Sequence, residues 1–376
     1  MEEYDISANG FLPNYCCQTS LLIPDEIVKI FINNHGDNYY INMNNFPWNI
    51  DILYKTDFKK LPIEEIRYIY SIISMIIHKY IVCTEIHNTT INEYLSTLWL
   101  KTSKILGLNP VLSYASVVLY NWSLIDKNSP FSLSNIKANY LMTGNETEEW
   151  FYLVMTGFEG ISGNIIPRLY KCLESSDEDF IYSTLIELNT VIKTCHDYLK
   201  NISPENFHPI NNFKRSCDPD FFFNKLRKFL WGSNKFDNGI NLMYKNKIIN
   251  IKYDGGSGGQ STLLQIFDRF LNIKHDSNST SGYIKSTWDY MPKKHREFLF
   301  LFNKSIVDNK KITLNDKFTS LYNMCIDEFT KLRITHWSVI GIFIMPFLND
   351  GRGTGGTDLK EFLSNMKKET QKSHLV

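Results

Sequence analysis

The sequence predicts an all-α fold in two domains, with one small β-hairpin. Apolar residues recur every three and four positions over four long segments, which is the period of an amphipathic helix. Only the segment 241–253 carries a convincing β pattern, because two short β-prone runs flank a polar turn there. The 376 residues, 43% of them hydrophobic, suffice for roughly two domains of ~150 residues with packed cores.

The four helical segments succeed one another along the chain at 63–82, 91–106, 177–199 and 319–344. In the first of them, the apolar run between Arg67 and Lys79 is shorter than the ~20 residues that a bilayer requires, so a buried helix is predicted. A polar, turn-rich break at 141–149 separates the first helical block from the second. We therefore predict a small N-terminal helical domain, 1–143, and a large C-terminal domain, 144–376.

Composition excludes several classes of function. Forty basic residues balance forty acidic ones, so no overall field attracts nucleic acid or an anionic membrane. The N-terminus is acidic and polar, unlike a signal peptide. Seven scattered cysteines without any C-x-x-C pair indicate neither a disulfide framework nor a zinc site. We expect a cytoplasmic protein with a small or locally recognised partner, and neither nucleic acid nor membrane.

A histidine and an arginine point into the core from the last long helix. One face of this helix carries Phe329, Leu332, His336, Val339, Ile340 and Phe343, and Arg333 lies beside His336 at i, i+3. A histidine on an apolar face is often a hydrogen-bonded core residue, but a buried guanidinium also needs an anion. Haem satisfies both, because its iron takes an imidazole and its propionates accept the arginine charge.

Two further segments hold candidate polar groups. Asp268 lies in a helix for which Thr262 and Gln265 predict a capping pair; it is either a second partner for the arginine or a solvated surface residue. In the stretch at 218–232, Phe223 and Arg227 lie at i, i+4, and Phe222 lies one position round the helix. This pattern indicates either core packing with an arginine that reaches the surface or an aromatic pocket with a cation for a carboxylate.

Two glycine clusters imitate phosphate-binding loops. The glycines at 351–356 have G-x-G-x-x-G spacing, but only 20 residues follow Gly356, too few for the rest of a βαβ unit, and no P-loop lysine is present. The cluster at 255–261 lacks the lysine and the third glycine as well. The second cluster permits close backbone approach to a flat ligand and is equally typical of a flexible linker.

Six stretches resemble indoleamine 2,3-dioxygenases in order and nearly in wording: "EEWFYLVM", "FFFNKLRKFLWG", "GGSGGQS", "MPKKHREFL", "KLRITHWSVIGIFI" and "RGTGGTDLKEFL". The resemblance covers roughly 105–376 well and the first hundred residues loosely. It implies an all-helical fold with haem in the large domain. The activity it implies is the oxidoreductase reaction that inserts O₂ across the indole C2–C3 bond of L-tryptophan to give N-formylkynurenine, the first step of the kynurenine pathway towards NAD.

The resemblance also implies a cofactor and its binding residues. The cofactor is one haem b (heme b) per chain, with an electron donor that keeps the iron ferrous, in a monomer. His336 is then the iron ligand, Arg333 pairs with a propionate and with Asp268, and Ser257 lies near a propionate.

For the substrate, the resemblance implies that Gly256 and Gly258 lie near it and that Phe151 and Phe222 sandwich its indole. Arg227 matches the arginine that grips the substrate carboxylate.

Tyr114 matches a pocket-wall tyrosine. Thr354 and Gly355 match a loop that closes over the amino-acid end of the substrate, although the segment before this loop is shorter than usual.

Met155 departs from the family pattern, since a serine is common at its position. A thioether offers no hydrogen-bond donor to O₂ or to the substrate amine, is bulkier, and can itself ligate iron. Three alternatives therefore stay open: a six-coordinate haem redox or sensor protein with Met155 as distal ligand, a dioxygenase of another indoleamine, and a helical interaction protein that has lost haem.

Overall fold

The structure of the chain is a computed structural model that describes residues 1–33, 48–84, 90–204, 215–236, 238–275, 278–347 and 359–376. Within these ranges the fold is mostly helical, as predicted. The α-helices are α1 (Asp25–Asn33), α2 (Ile50–Lys55), α3 (Ile63–Thr84), α4 (Glu93–Leu106), α5 (Glu146–Gly160), α6 (Ile165–Cys172), α7 (Glu178–Lys200), α8 (Pro219–Phe221), α9 (Arg227–Phe229), α10 (Thr262–Phe270), α11 (Asn278–Thr287), α12 (Lys293–Leu301), α13 (Asp316–Phe343) and α14 (Leu359–Gln371).

The predicted hairpin is confirmed. Its strands are antiparallel, and Lys245 and Asn246 between them both have positive φ, the conformation of a tight two-residue hairpin turn. Sequence reasoning missed the other strands, which are two or three residues long and so show no alternation. The strands are β1 (Thr90–Ile91), β2 (Trp122–Leu124), β3 (Ile136–Ala138), β4 (Ile240–Tyr244) and β5 (Lys247–Ile251), in sheets ordered β1-β4-β5 and β2-β3.

Helix α3 is longer than the apolar run that predicted it. The span Ile63–Cys83, with mean hydropathy 1.3, is long and apolar enough to cross a membrane, but 89% of that window is buried inside the protein. Arg67 and Lys79 do not bound the helix but lie within it, where Arg67 pairs with Asp5 at 3.0 Å and Lys79 donates to the Phe31 carbonyl at 3.0 Å. The prediction that this segment is too short to span a bilayer was therefore wrong, whereas the predicted buried helix is confirmed.

The helices that carry the site begin with side-chain caps. Asn145 accepts a hydrogen bond from the Thr147 N–H at 2.8 Å at the start of α5, and Asn315 accepts one from the Phe318 N–H at 2.9 Å at the start of α13. Acidic residues in both first turns complement the helix dipole. Helix α5 thus starts at Glu146, within the predicted turn-rich break at 141–149. The domain boundary itself stays a prediction, and β1 pairs with β4 across it.

Helix α13, 28 residues long, forms the axis of the C-terminal part. It packs lengthwise against α7 and also against α14. Its buried residues include Phe329, Leu332, Val339 and Phe343, which is the face predicted from spacing. This face does not close completely onto its neighbours, and a cavity lies against it.

Candidate active site

A mostly apolar cavity of about 330 Å³ lies between α5, α10, α13, α14 and the glycine segment 256–259, a volume typical of a small-molecule site. Eleven of the thirteen predicted site residues line it: Tyr114, Phe151, Met155, Phe222, Arg227, Gly256, Ser257, Gly258, Asp268, Arg333 and His336. Thr354 and Gly355 lie outside the described residues. The structure thus brings the predicted residues together, while their individual roles stay predictions.

The imidazole of His336 faces this cavity. Its side chain is accessible, but the accessible surface opens into the cavity that the surrounding helices enclose. None of the described residues hydrogen-bonds to the ring. Burial within the protein, and then the charge of Arg333, lower the pKa of His336 to about 4. At pH 7 the ring is therefore neutral, which is the form that ligates a metal.

Arg333 is held firmly at the edge of the cavity. Its guanidinium forms an ion pair with Asp268, donates to the Met366 carbonyl at 2.8 Å and to the Thr370 hydroxyl, and lies 4.5 Å from the centroid of the Phe329 ring. Asp268 is 6% exposed, which excludes the alternative of a solvated surface residue. The pairing of Arg333 with an anion therefore exists within the protein itself.

Sequence reasoning missed two members of this charge cluster. His275 Nε2 lies 3.1 Å from Asp268 Oδ2, as an ionic contact rather than a well-aligned hydrogen bond, and His275 Nδ1 lies 2.9 Å from Glu369 Oε2 on α14. Burial alone would lower the pKa of His275, but the charge and hydrogen bonds of the two carboxylates outweigh it, so the pKa is raised. For Asp268, burial alone would raise the pKa, but the positive charges of Arg333 and His275 and their hydrogen bonds outweigh burial, so the pKa is lowered.

We expect the folded protein to lose stability as pH rises through the raised pKa of His275. The contribution of this ion pair is complete below the unfolded pKa of about 6.5 and disappears once the folded ring deprotonates. His275→Gln should lower the free energy of unfolding by about 3 kcal/mol at pH 6 and flatten this dependence. Urea unfolding between pH 6 and 9 measures how the free energy of unfolding depends on pH. His374→Gln, at a half-buried histidine outside this charge cluster, is the control. Equal slopes in wild type and His275→Gln would contradict the assignment of the pH dependence to His275.

The glycine segment needs its glycines for two different reasons. A Cβ on Gly255 would lie 2.0 Å from the Leu230 carbonyl oxygen, so a side chain is sterically excluded. A Cβ on Gly258 would meet no atom within 4 Å and would project into space beside the cavity. Ser257 between them is hydrogen-bonded to the Tyr283 hydroxyl at 2.6 Å. The segment is thus a close-packed wall, with an open position only where it meets the cavity.

The helix after this segment starts differently from the prediction. Thr262 and Gln265 form no capping pair: the N-cap residue is Ser261, and its side chain makes no capping hydrogen bond. The Ser261 hydroxyl instead donates to Glu159 at 2.7 Å. Gln265 donates to the Gly259 carbonyl at 3.0 Å and to the Thr287 hydroxyl at 2.9 Å.

Phe151 and Phe222 form a corner of the cavity. Their ring centroids are 5.0 Å apart with an interplanar angle of 61°, and Phe222 also meets Phe343 at 5.5 Å. Rings in direct edge-to-face contact leave no gap for an indole between them. The contact of both rings with an indole stays a prediction, and the corner that the two rings form lines the cavity.

Arg227 is 8% exposed, with its guanidinium 4.8 Å from the centroid of the Phe223 ring. It directly follows a π-helical segment, Phe222–Leu226, and Tyr114 directly precedes another, Ala115–Leu119. Short π segments are frequent at functional sites because the extra residue in the turn redirects side chains. No sequence pattern predicts these segments.

Met155 lies one helical turn after Phe151 on α5, and both line the cavity. Glu159, a further turn along the same helix, is completely buried and was missed, although its i+4 spacing from Met155 was a usable signal. Phe362 and Met366 of α14 also line the cavity and were missed, because only the tertiary fold brings this helix to the site.

The donor set fits haem. An axial imidazole must be neutral and must face an apolar space, as His336 does. Propionates need cationic or hydroxyl donors at the cavity edge, where Arg333, Ser257 and Tyr283 lie. The open position at Gly258 adds space to the cavity at that point.

Comparison with known proteins agrees with this geometry. The family model described as indoleamine 2,3-dioxygenase matches residues 1–348. The chain is 31% identical to indoleamine 2,3-dioxygenase 1 of Mus musculus over 302 residues, covering 73% of this chain and 70% of that protein. It is 29% identical to the Rattus norvegicus protein of the same name over 307 residues (75% and 72%), and 25% identical to an indoleamine 2,3-dioxygenase of Aspergillus nanangensis over 406 aligned positions (98% and 96%). The chain belongs to the indoleamine 2,3-dioxygenase family and is a haem dioxygenase of the tryptophan/indoleamine type.

Proposed function

We propose that this protein cleaves the indole ring of L-tryptophan with O₂ to give N-formylkynurenine, with haem b as its cofactor. The observation that carries the proposal is that a neutral imidazole without a protein partner among the described residues and a buried arginine line the same apolar cavity. The imidazole of His336 can ligate iron, and the guanidinium of Arg227 can bind the carboxylate of an amino acid. Both oxygen atoms enter the product, so the reaction consumes no external electrons.

His336 would hold the iron, and Arg333 and Ser257 would receive the propionates. When bound, haem supplies the activation of O₂. The protein supplies position: Arg227 binds the substrate carboxylate, and the Phe151–Phe222 corner packs against the indole, so that the ring is fixed within an environment that excludes water.

A side-chain base is not needed for this reaction. Of the cavity-lining groups in the described part of the chain, the carboxylate of Asp268 is committed to Arg333 and His275, and the Tyr114 hydroxyl donates to Glu159. The replacement of a hydroxyl by the thioether of Met155 therefore removes a hydrogen bond but no essential proton carrier. We place the reaction at the start of tryptophan breakdown towards NAD, in a cytoplasmic monomer. An electron donor keeps the iron ferrous but is not consumed in the reaction itself.

The second candidate function is a six-coordinate haem protein with Met155 on the iron, and the position of Met155 in the cavity wall favours it as the alternative. An absorption spectrum of the haem-reconstituted ferrous protein separates the two. We expect a five-coordinate high-spin spectrum, and formation of N-formylkynurenine absorbance after aerobic addition of L-tryptophan. A low-spin spectrum without product would reject the dioxygenase.

Two variants of Met155 sharpen this experiment. Met155→Leu keeps the bulk and removes the sulfur, so its ferrous spectrum should match that of the wild type; a change from low-spin to high-spin would identify sulfur ligation. Met155→Ser should lower the KM for L-tryptophan about fivefold, because a hydroxyl near the substrate amine contributes about 1 kcal/mol. Met366→Leu, also at the cavity wall, controls for a general effect of replacing methionine, and an unchanged KM in Met155→Ser would contradict the expected contact.

A further inference from the structure

Glu159 is a buried acid that the reaction proposed above does not use. It is 0% exposed. Its Oε1 accepts hydrogen bonds from the Tyr114 hydroxyl at 2.9 Å and from the Ser261 hydroxyl at 2.7 Å. Its Oε2 has no hydrogen-bond partner in the described part of the chain. Burial raises the pKa of Glu159 to about 7, although both hydrogen bonds act to lower it.

This carboxyl group joins three walls of the cavity. Glu159 belongs to α5, which also carries Phe151 and Met155. Tyr114 precedes the π segment, and its N–H donates to Gln260 Oε1 at 2.9 Å, while Gln260 donates to the Gly255 carbonyl at 2.7 Å. Ser261 lies two positions after the glycine segment. A change at Glu159 therefore reaches the helix, the tyrosine and the glycine segment at once.

The two hydroxyl groups are directed by this contact. Tyr114 and Ser261 both line the cavity, yet both hydroxyls donate to Glu159. Ser261 does so in place of capping its helix, a contact typically worth about 1 kcal/mol. A hydroxyl left facing an apolar substrate would lose its partners on binding, which is unfavourable. The contact with Glu159 therefore leaves the wall with an apolar surface at these two residues.

We propose that Glu159 is a positioning residue of the substrate pocket, which holds the Tyr114 and Ser261 hydroxyls away from the indole. The inference rests on the proposed function, because the occupant is the substrate of that reaction. The groups that face Glu159 are Tyr114, Ser261 and, from α7, Cys195. Among the described residues no cationic side chain pairs with its carboxyl group.

Kinetics provide the first test. Glu159→Ala should raise the KM for L-tryptophan about tenfold with kcat within about twofold, because the freed hydroxyls disturb binding rather than chemistry. Glu159→Gln should keep KM within about twofold, since its amide oxygen accepts the same two hydrogen bonds. Glu148→Gln is the matched control: Glu148 is also buried on α5 but bonds Met142 and Thr143, so this variant should lose stability and keep KM.

Spectroscopy provides a test that is independent of turnover. In the ferrous carbonmonoxy protein, Glu159→Ala should shift the C–O stretch to lower wavenumber, because a released hydroxyl donor polarises the bound CO. In Glu159→Ala/Tyr114→Phe the tyrosine hydroxyl is absent and most of this shift should disappear. Wild-type KM and an unshifted C–O stretch in Glu159→Ala would overturn the proposal, as would a Glu159→Gln variant as impaired as Glu159→Ala.

The pH dependence of unfolding separates this inference from the proposed function. The favourable contribution of neutral Glu159 is complete below the unfolded pKa of about 4.5 and is lost as pH rises through about 7. Wild type should therefore lose stability over this interval while Glu159→Gln loses less. If wild type fails to cleave L-tryptophan, the proposed function is rejected, and the C–O stretch of the two Glu159 variants still decides on the positioning role of Glu159.

Discussion

His336→Ala should abolish haem binding and with it all dioxygenase activity, while the apo-protein folds as stably as the wild type. The ring has no hydrogen-bond partner among the described residues and faces a cavity, so its removal breaks no hydrogen bond, and a change within about 1 kcal/mol is expected. Loss of the imidazole removes the side chain that would hold the iron on this side of the cavity, and the thioether of Met155 is a much weaker donor. Haem titration followed by the Soret absorbance, together with urea unfolding, measures both effects.

His196→Ala is the matched control for this experiment. His196 contacts α13 from α7, with Nδ1 2.9 Å from Glu328 Oε1 and Nε2 2.9 Å from the Thr335 hydroxyl. Although Thr335 is adjacent to His336 in sequence, this contact lies on another side of the helix from the cavity. We expect His196→Ala to lower stability by about 2 kcal/mol and to retain haem. If His336→Ala binds as much haem as wild type, the axial assignment is wrong.

Added imidazole extends the test. Removal of a side chain from an accessible cavity leaves space for the free ligand, so His336→Ala should regain haem affinity as the imidazole concentration rises. His374→Ala, which removes a half-buried histidine that is paired with Asp327 and lies outside the cavity, should show neither the loss nor the recovery. Loss of haem without recovery, accompanied by loss of stability, would instead indicate a structural role for His336.

Arg227→Gln should lower kcat/KM for L-tryptophan by a factor on the order of 10² to 10³, because loss of one partner of a buried charge pair costs about 3–4 kcal/mol. Tryptamine has the same indole but no carboxylate, so its turnover should change by less than about threefold. The effect of the substitution thus depends on the substrate, as a general loss of structure would not. Parallel kinetics with L-tryptophan, D-tryptophan and tryptamine measure this dependence.

Lys228→Gln supplies the control for charge alone, since Lys228 is the next residue and is exposed. It should leave all three substrates unaffected. Arg227→Lys keeps the charge but loses the planar, two-pronged donor geometry, and should recover only part of the activity. If L-tryptophan and tryptamine lose activity equally in Arg227→Gln, the arginine packs the pocket wall through Phe223 and does not bind the carboxylate.

The period of the apolar residues was sufficient to predict the helical class, the buried α3 and the face of α13 that lines the cavity, because helix formation and amphipathicity are local properties of the chain. It was also sufficient for the β4–β5 hairpin, whose turn is formed by Lys245 and Asn246. Motif order indicated the family, and the comparisons confirm it.

Spacing along the chain did not predict how Phe151 and Phe222 meet, because their contact angle depends on the crossing of α5 with a π-helical segment that no pattern marks. It also failed at Ser261, whose hydroxyl forms a long-range bond to Glu159 in preference to a local cap.

By itself, therefore, the sequence predicted most of the residues that line the cavity, and the helical face on which the residues of α13 lie. Only the tertiary structure decided which polar groups neutralise one another: Asp268 with Arg333 and His275, and Glu159 with Tyr114 and Ser261. Along the chain, Glu159 is 45 positions from Tyr114 and 102 positions from Ser261. The reason is physical, since a buried polar group takes whichever donor or acceptor the packing of distant helices brings within about 3 Å.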